Sequence, residues 1–201
     1  MIIGPKYKIC KRLGASVFEK CQTQKFQLAE ARAPRKTSRK RGGSDFGAQL
    51  LEKQKARFTY GLTESQFSRY VAEAMEAKGN NTTSLLSRLE GRLDNVVYRA
   101  GLVKTRRAAR QMVGHGHILV NGRRLNIPSY KVEKSDVISV RPESRPSALF
   151  TNRTEAMAET KAPAWMKFED NGFAIKVEDT PTIEETSAPF SAATVIQFYS
   201  R

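Results

Sequence analysis

The sequence predicts an α+β protein in which helices come first and a small β-sheet follows. Three observations carry this. Between Ser44 and Gly114, capping residues alternate with apolar positions at three- and four-residue spacing, the helical period. After Gly114 the pattern shifts to short apolar runs around Asn121-Gly122, a tight-turn pair. The same arrangement returns near the end, where Trp165–Phe168 and Phe173–Val177 flank Asp170-Asn171-Gly172.

Each helix has a start and a stop. Ser44 or Asp45 caps a segment carrying Leu50, Leu51, Gln54 and Phe58 as far as Tyr60-Gly61. Thr63 with Gln66 three residues on fits a capping box. The helix it opens shows Phe67, Val71, Ala74 and Met75 on one face and stops at Lys78-Gly79-Asn80. A third helix begins near Thr82 or Thr83 and carries Leu86, Leu89, Leu93, Val96, Val97 and Ala100 up to Gly101. Thr105 then caps a short helix from Arg106 to Val113, closed by Gly114. Beyond it, Ile118–Val120, Arg123–Leu125, Ile127-Pro128, Lys131-Val132 and Val137–Val140 read as short strands. Thr194–Tyr199 reads as a closing strand, and 178–193 as a loop.

The chain has 201 residues and a formal charge of +15. Its apolar runs fall far short of the roughly 20 residues a membrane helix needs, and its N-terminus lacks a signal peptide's apolar core. Residues 1–60 carry a net +11, 61–90 a net −1, 91–145 a net +8 and 146–201 a net −3. Two basic blocks suggest two surfaces for one long polyanion. Within the first, Arg35, Lys36, Arg39, Lys40 and Arg41 sit in a stretch with no apolar residue beyond Ala33, an arm that orders on binding.

The most informative local feature is the Thr105-capped helix. Arg106, Arg107 and Arg110 fall on one side, with Ala108, Ala109, Met112 and Val113 on the other. A guanidinium binds phosphate oxygens in pairs, and a helix N-terminus offers unpaired N–H groups. His115-Gly116-His117 and Asn121-Gly122-Arg123-Arg124 add donors nearby. Nucleic acid is the partner this pattern fits, against the plainer reading of a solvated helix face.

These residues reach a family. The runs Leu89-Glu90-Gly91-Arg92-Leu93-Asp94-Asn95-Val96-Val97-Tyr98-Arg99, Arg106–Val113 and His115–Gly122 resemble the small αL RNA-binding domain of bacterial-type small-subunit ribosomal protein S-four. Ile3-Gly4-Pro5, Glu52–Lys55, Tyr60-Gly61, Gln66-Phe67 and Phe198–Arg201 extend the resemblance over nearly the whole chain. It implies a mostly helical rRNA-binding domain, residues 1–90 together with 150–201, with the αL domain of two helices and a small sheet inserted at 91–149. It implies a structural constituent of the small subunit that binds rRNA first, nucleates assembly of the subunit body and contributes to accuracy. The implied partners are small-subunit rRNA, proteins five and three, and mRNA at its entry path, in a cytoplasmic or organellar ribosome.

With the basic arm, the expected RNA-contacting set is Lys53, Lys55, Arg57, Arg92, Lys104, Arg106, Arg107, Arg110, His115, His117, Asn121, Arg123 and Arg124. No cofactor, metal or membrane is expected. A non-ribosomal αL RNA-binding protein stands as the alternative. So does a pseudouridine synthase, since Gly91-Arg92-Leu93-Asp94 resembles that catalytic tetrapeptide; Asp94, however, falls inside an amphipathic helix and is expected to pair with a neighbouring Arg. Some members of the resembled family carry two pairs of zinc-binding cysteines near the N-terminus. Here Cys10 and Cys21 fill one position of each pair, with Tyr7 and Phe26 at the others. Two thiolates do not close a tetrahedral site; the cysteines are expected to be reduced, with aromatics filling the core of the lost knuckle.

Overall fold

A computed structural model describes residues 3–32, 44–147, 150, 163–184 and 187–200. The basic arm, with Arg35, Lys36, Arg39, Lys40 and Arg41, lies outside the described residues. The chain divides into two compact units, Met1–Leu85 with Glu184–Arg201, and Leu86–Ile183.

The first unit is helical. Its helices are α1 (Lys6–Leu13), α2 (Gln24–Arg32), α3 (Asp45–Tyr60) and α4 (Glu64–Glu76), with the start of α5 (Asn81–Glu90). The expected caps form: Ser44 Oγ accepts from the Gly47 N–H at 3.2 Å, and Thr63 Oγ1 from the Gln66 N–H at 3.4 Å. Each satisfies a donor that the helix itself leaves unpaired. Phe67, Val71 and Ala74 of α4 are fully buried, whereas Met75, expected on the same face, is exposed.

The segment read as a closing strand is a helix, α8 (Ala192–Tyr199). Its β-branched residues favour a strand, but packing decides. Ser191 caps α8 by accepting from the Thr194 N–H at 3.3 Å, and its own N–H donates to Glu52 Oε2 of α3 at 2.9 Å. Ala192 and Val195, one helical turn apart, are buried, which a helix permits and an alternating strand does not.

Near the N-terminus, Cys10, Cys21, Phe18 and Phe26 form a small buried cluster. Tyr7 stacks on Phe26 with ring centroids 5.1 Å apart. The expected aromatic filling is therefore present. The cysteines are not reduced, however: Cys10 and Cys21 are joined by a disulfide. Burying both sulfurs side by side among aromatics is what makes the bond geometrically available.

The second unit carries the sheet: β1 (Ile118–Val120), β2 (Arg123–Arg124), β3 (Val137–Val140), β4 (Met166–Glu169) and β5 (Ala174–Val177). All neighbours are antiparallel, in the order β2-β1-β3-β5-β4. α6 (Leu93–Arg99) and α7 (Arg106–Gly114) complete it. Leu93, Val96 and Val97 of α6 and Ala109, Met112 and Val113 of α7 join Ile118, Val120, Ile138, Val140, Trp165, Met166, Ile175 and Val177 in one core.

The expected boundary at residue 150 is thereby corrected. Ile138 of β3 pairs with Ile175 of β5, so the late hairpin extends this sheet instead of returning to the helical unit. The single helix expected from Thr82 to Ala100 is also broken. Arg92 is extended (φ −71°, ψ 135°) between α5 and α6. The first N–H groups of α6 are capped by backbone carbonyls, Leu93 to Tyr130 at 2.9 Å and Asp94 to Pro128 at 3.1 Å. Residues 127–132, expected as strands, instead supply this cap; their ladder contact is the single bridge Arg92–Lys131.

Candidate nucleic-acid interface

The interface is built around α6, α7 and the β1–β2 turn, and buried charge comes first. Asp94, in the first turn of α6, is 3 % exposed. Arg92 donates to it through Nε at 3.0 Å and Nη2 at 2.8 Å, and Arg110 of α7 through Nε at 2.9 Å. A second network runs beside it. Arg99 donates to Glu90 through Nε at 2.9 Å and Nη2 at 2.8 Å, Asn95 Nδ2 donates to Glu90 Oε2 at 2.8 Å, and Arg106 Nε donates to Asn95 Oδ1 at 2.8 Å. The Arg106 guanidinium also lies 4.3 Å from the centre of the Tyr98 ring. Buried carboxylates without such partners would be prohibitively costly.

The basic face of α7 is therefore split. Arg106 and Arg110 turn onto α6, and Arg107 alone of the three is exposed. Asp94 is the paired helix residue the sequence predicted, locked between two guanidinium groups. That leaves it poorly placed to act as a nucleophile.

The remaining expected residues also sort by geometry. Arg92 is buried. Lys53 of α3 is 7 % exposed, pairs with Glu64 at 2.6 Å and lies 4.6 Å from the Phe198 ring centre. Lys55 pairs with Glu52 at 2.6 Å, and Arg57 with Glu64 at 3.2 Å. All four spend their charge within the fold. Asn121 is exposed but structural: at φ 51° it forms the β1–β2 turn with Gly122 at φ 77°. Its Nδ2 donates to Asp136 at 2.8 Å and its Oδ1 accepts from the Val137 N–H at 2.9 Å, tying the turn to β3.

What stays available is Lys104, Arg107, His115, Arg123 and Arg124, all exposed, with His117 half-buried. Arg124 is held in place: its Nη2 donates to the His115 carbonyl at 3.2 Å, and its guanidinium covers Gly116, which sits at φ +74°. In the same unit Glu143 pairs with Arg141 at 2.7 Å and Asp170 with Arg145 at 2.6 Å. The Arg141 hydrogen bond to Glu143 also holds that carboxyl below its ordinary value. Among the described residues Lys104, Arg107, Arg123, Arg124 and Lys131 make no ion pair. Lys131 was not among the expected residues. Neither were Lys8, Lys11 and Arg12, exposed along α1; their three- and four-residue spacing was the signal that could have found them.

Two stretches of the chain match known protein families. Residues 1–90 match the family model described as the ribosomal protein S4/S9 N-terminal domain, and 91–138 match the S4 domain. The fold is thus that of an S4-domain protein with a helical N-terminal module. Small ribosomal subunit protein uS4 of Roseiflexus castenholzii is 45% identical over 99% of this chain and 98% of its own length. That of Persephonella marina is 43% identical over 98% of both chains, and that of Corynebacterium kroppenstedtii 46% identical over 79% of both. The chain belongs to the uS4 family of small ribosomal subunit proteins.

Proposed function

We propose that this protein is a structural constituent of the small ribosomal subunit and binds its rRNA through phosphate contacts made by Lys104, Arg107, Arg123 and Arg124. The observation that carries the reading is the sorting of charge in the second unit. The buried carboxylates Asp94 and Glu90 are neutralised by Arg92, Arg110 and Arg99, while Lys104, Arg107, Arg123 and Arg124 stay exposed and make no ion pair among the described residues. An exposed, unneutralised cluster of Arg and Lys is the footprint of a phosphate backbone.

The family resemblance extends this reading. The protein acts early in assembly of the subunit body, touches ribosomal proteins five and three, borders the mRNA entry path and bears on decoding accuracy. The basic arm of Arg35 to Arg41 is a second RNA contact. Its role is binding without catalysis, in a cytoplasmic or organellar ribosome; no helix among the described residues is long and apolar enough to cross a membrane. Sedimentation of a cell extract tests the reading. Stoichiometric presence in small subunits supports it, and recovery only with free transcripts overturns it.

A further inference from the structure

Beside the exposed cations lies a hollow of about 150 Å³, lined by Val103, Ala108, Gln111, Met112, His115 and His117. Its lining is mostly apolar. Drug-sized ligands occupy sites of roughly 300–1,000 Å³, so this one is too small for them. A cavity of roughly 150 Å³ does admit a single aromatic ring. The rim carries hydrogen-bonding groups. Gln111 is exposed and offers both an amide donor and an acceptor. The His115 and His117 rings stand 6.1 Å apart, tilted by 45°. His117 Nδ1 shares a hydrogen bond with Ser144 Oγ at 2.9 Å, which fixes that ring and leaves Nε2 as its other polar atom.

We propose that this hollow receives one unstacked RNA base, with the ring on the Val103–Ala108–Met112 floor and its polar edge toward Gln111 and the histidines. This rests on the reading that RNA is the partner. The cations around it fit that occupant. Lys104 adjoins Val103, Arg107 precedes Gln111 by one helical turn, and Arg124 is anchored on the His115 carbonyl. They can hold the phosphates on either side of a base turned out of its stack. An apolar peptide side chain would use the floor and leave the cations without a role. Unstacked bases on apolar and aromatic surfaces are the general means by which proteins recognise irregular RNA.

The test uses the full chain and a small-subunit rRNA transcript, with affinity measured by filter binding over a range of salt concentrations. Ala108→Phe fills the hollow. It is expected to weaken binding about 5- to 150-fold, the range a single stacked base contributes, while the slope of log K against log salt stays unchanged because no phosphate contact is lost. Gln111→Ala, at an exposed position that leaves the core intact, is expected to weaken binding about 3- to 10-fold, one hydrogen bond's worth, again at constant slope. It decides the matter alone if Ala108→Phe does not fold. Wild-type affinity in Gln111→Ala and in folded Ala108→Phe, with Arg107→Ala still weakened, overturns the base site and leaves the RNA reading standing. A loss accompanied by a shallower slope also overturns it, since that marks a phosphate contact. If Arg107→Ala and Lys104→Ala bind as the wild type does, the RNA reading itself fails.

Discussion

Arg110 of α7 donates through Nε to Asp94 of α6 at 2.9 Å, and this link fastens the two helices of the S4 domain to each other. The same carboxylate holds the buried Arg92. Removing one partner from a buried pair leaves the other charge unsolvated, at a cost of about 3–5 kcal/mol. Asp94→Ala removes the carboxylate that neutralises the buried Arg92 and is expected to fall in that range. Arg110→Ala is expected to cost less, because the Arg110 side chain is 33 % exposed and Arg92 still neutralises Asp94. Urea unfolding of the two variants checks the order. A smaller loss in Asp94→Ala than in Arg110→Ala would mean that Arg92 is not the residue most dependent on this carboxylate.

Arg106 and Arg107 are neighbours in sequence with different expected effects. Arg107 is exposed, and Arg107→Ala should weaken rRNA binding across sequences and reduce the salt slope by about 1, with stability within about 0.5 kcal/mol of wild type. Arg106 is bound to Asn95 and packed on Tyr98. Arg106→Ala should lower stability by about 1–2 kcal/mol and leave the salt slope unchanged. Parallel thermal unfolding and salt-dependent binding separate the two. Equal salt slopes in both variants would contradict the split of the α7 face.

This split marks the limit of what could be read from sequence. The caps at Ser44, Thr63 and Thr105 were legible because a cap is a local pattern satisfied within three residues. The Asn121-Gly122 turn was legible for the same reason. The break at Arg92 was not, because its cause is the pair of carbonyls of Pro128 and Tyr130, far along the chain. Periodicity placed Arg106, Arg107 and Arg110 on one side of α7. Spacing could not say that Asn95 and Asp94 would draw two of them inward. The C-terminal segment failed likewise: strand propensity at Thr194, Val195 and Ile196 yielded to tertiary contacts with Glu52 and Glu64.

Asn121, one of the expected RNA contacts, also holds the β1–β2 turn together through its side chain. Asn121→Ala loses the side-chain hydrogen bonds to Asp136 and Val137 and places at φ 51° a residue that tolerates the left-handed region less well than Asn. It also leaves the buried Asp136 short of a donor. A loss of about 2–3 kcal/mol is expected from an unsatisfied buried acceptor together with left-handed strain. Asn121→Gly relieves the strain alone and should recover about 1 kcal/mol of it. Denaturant midpoints for the pair check this, and equal midpoints would assign the whole cost to the hydrogen bonds.

Glu64 gives the helical unit an acid-side pH dependence with a definite sign. Burial alone would raise its pKa. Hydrogen bonds from Lys53 and Tyr199, with the charges of Lys53 and Arg57, outweigh burial and hold the carboxyl below its ordinary value. Its contribution to stability is therefore fully present above the unfolded-state value of about 4.3 and is lost as pH falls through the lower folded value. Tyr199 titrates on the other side. Burial first, and then the hydrogen bond it donates to Glu64 at 2.8 Å, raise its pKa. Its contribution is present below about pH 10 and declines above it. Glu64→Gln is expected to flatten the acid limb of a stability-against-pH curve, and Tyr199→Phe the alkaline limb. Glu64→Gln also frees Lys53, 7 % exposed, from its carboxylate, so stability at pH 7 should fall as well. A Glu64→Gln curve that keeps the wild-type slope below pH 4.5 would show that another carboxylate governs acid unfolding of this unit.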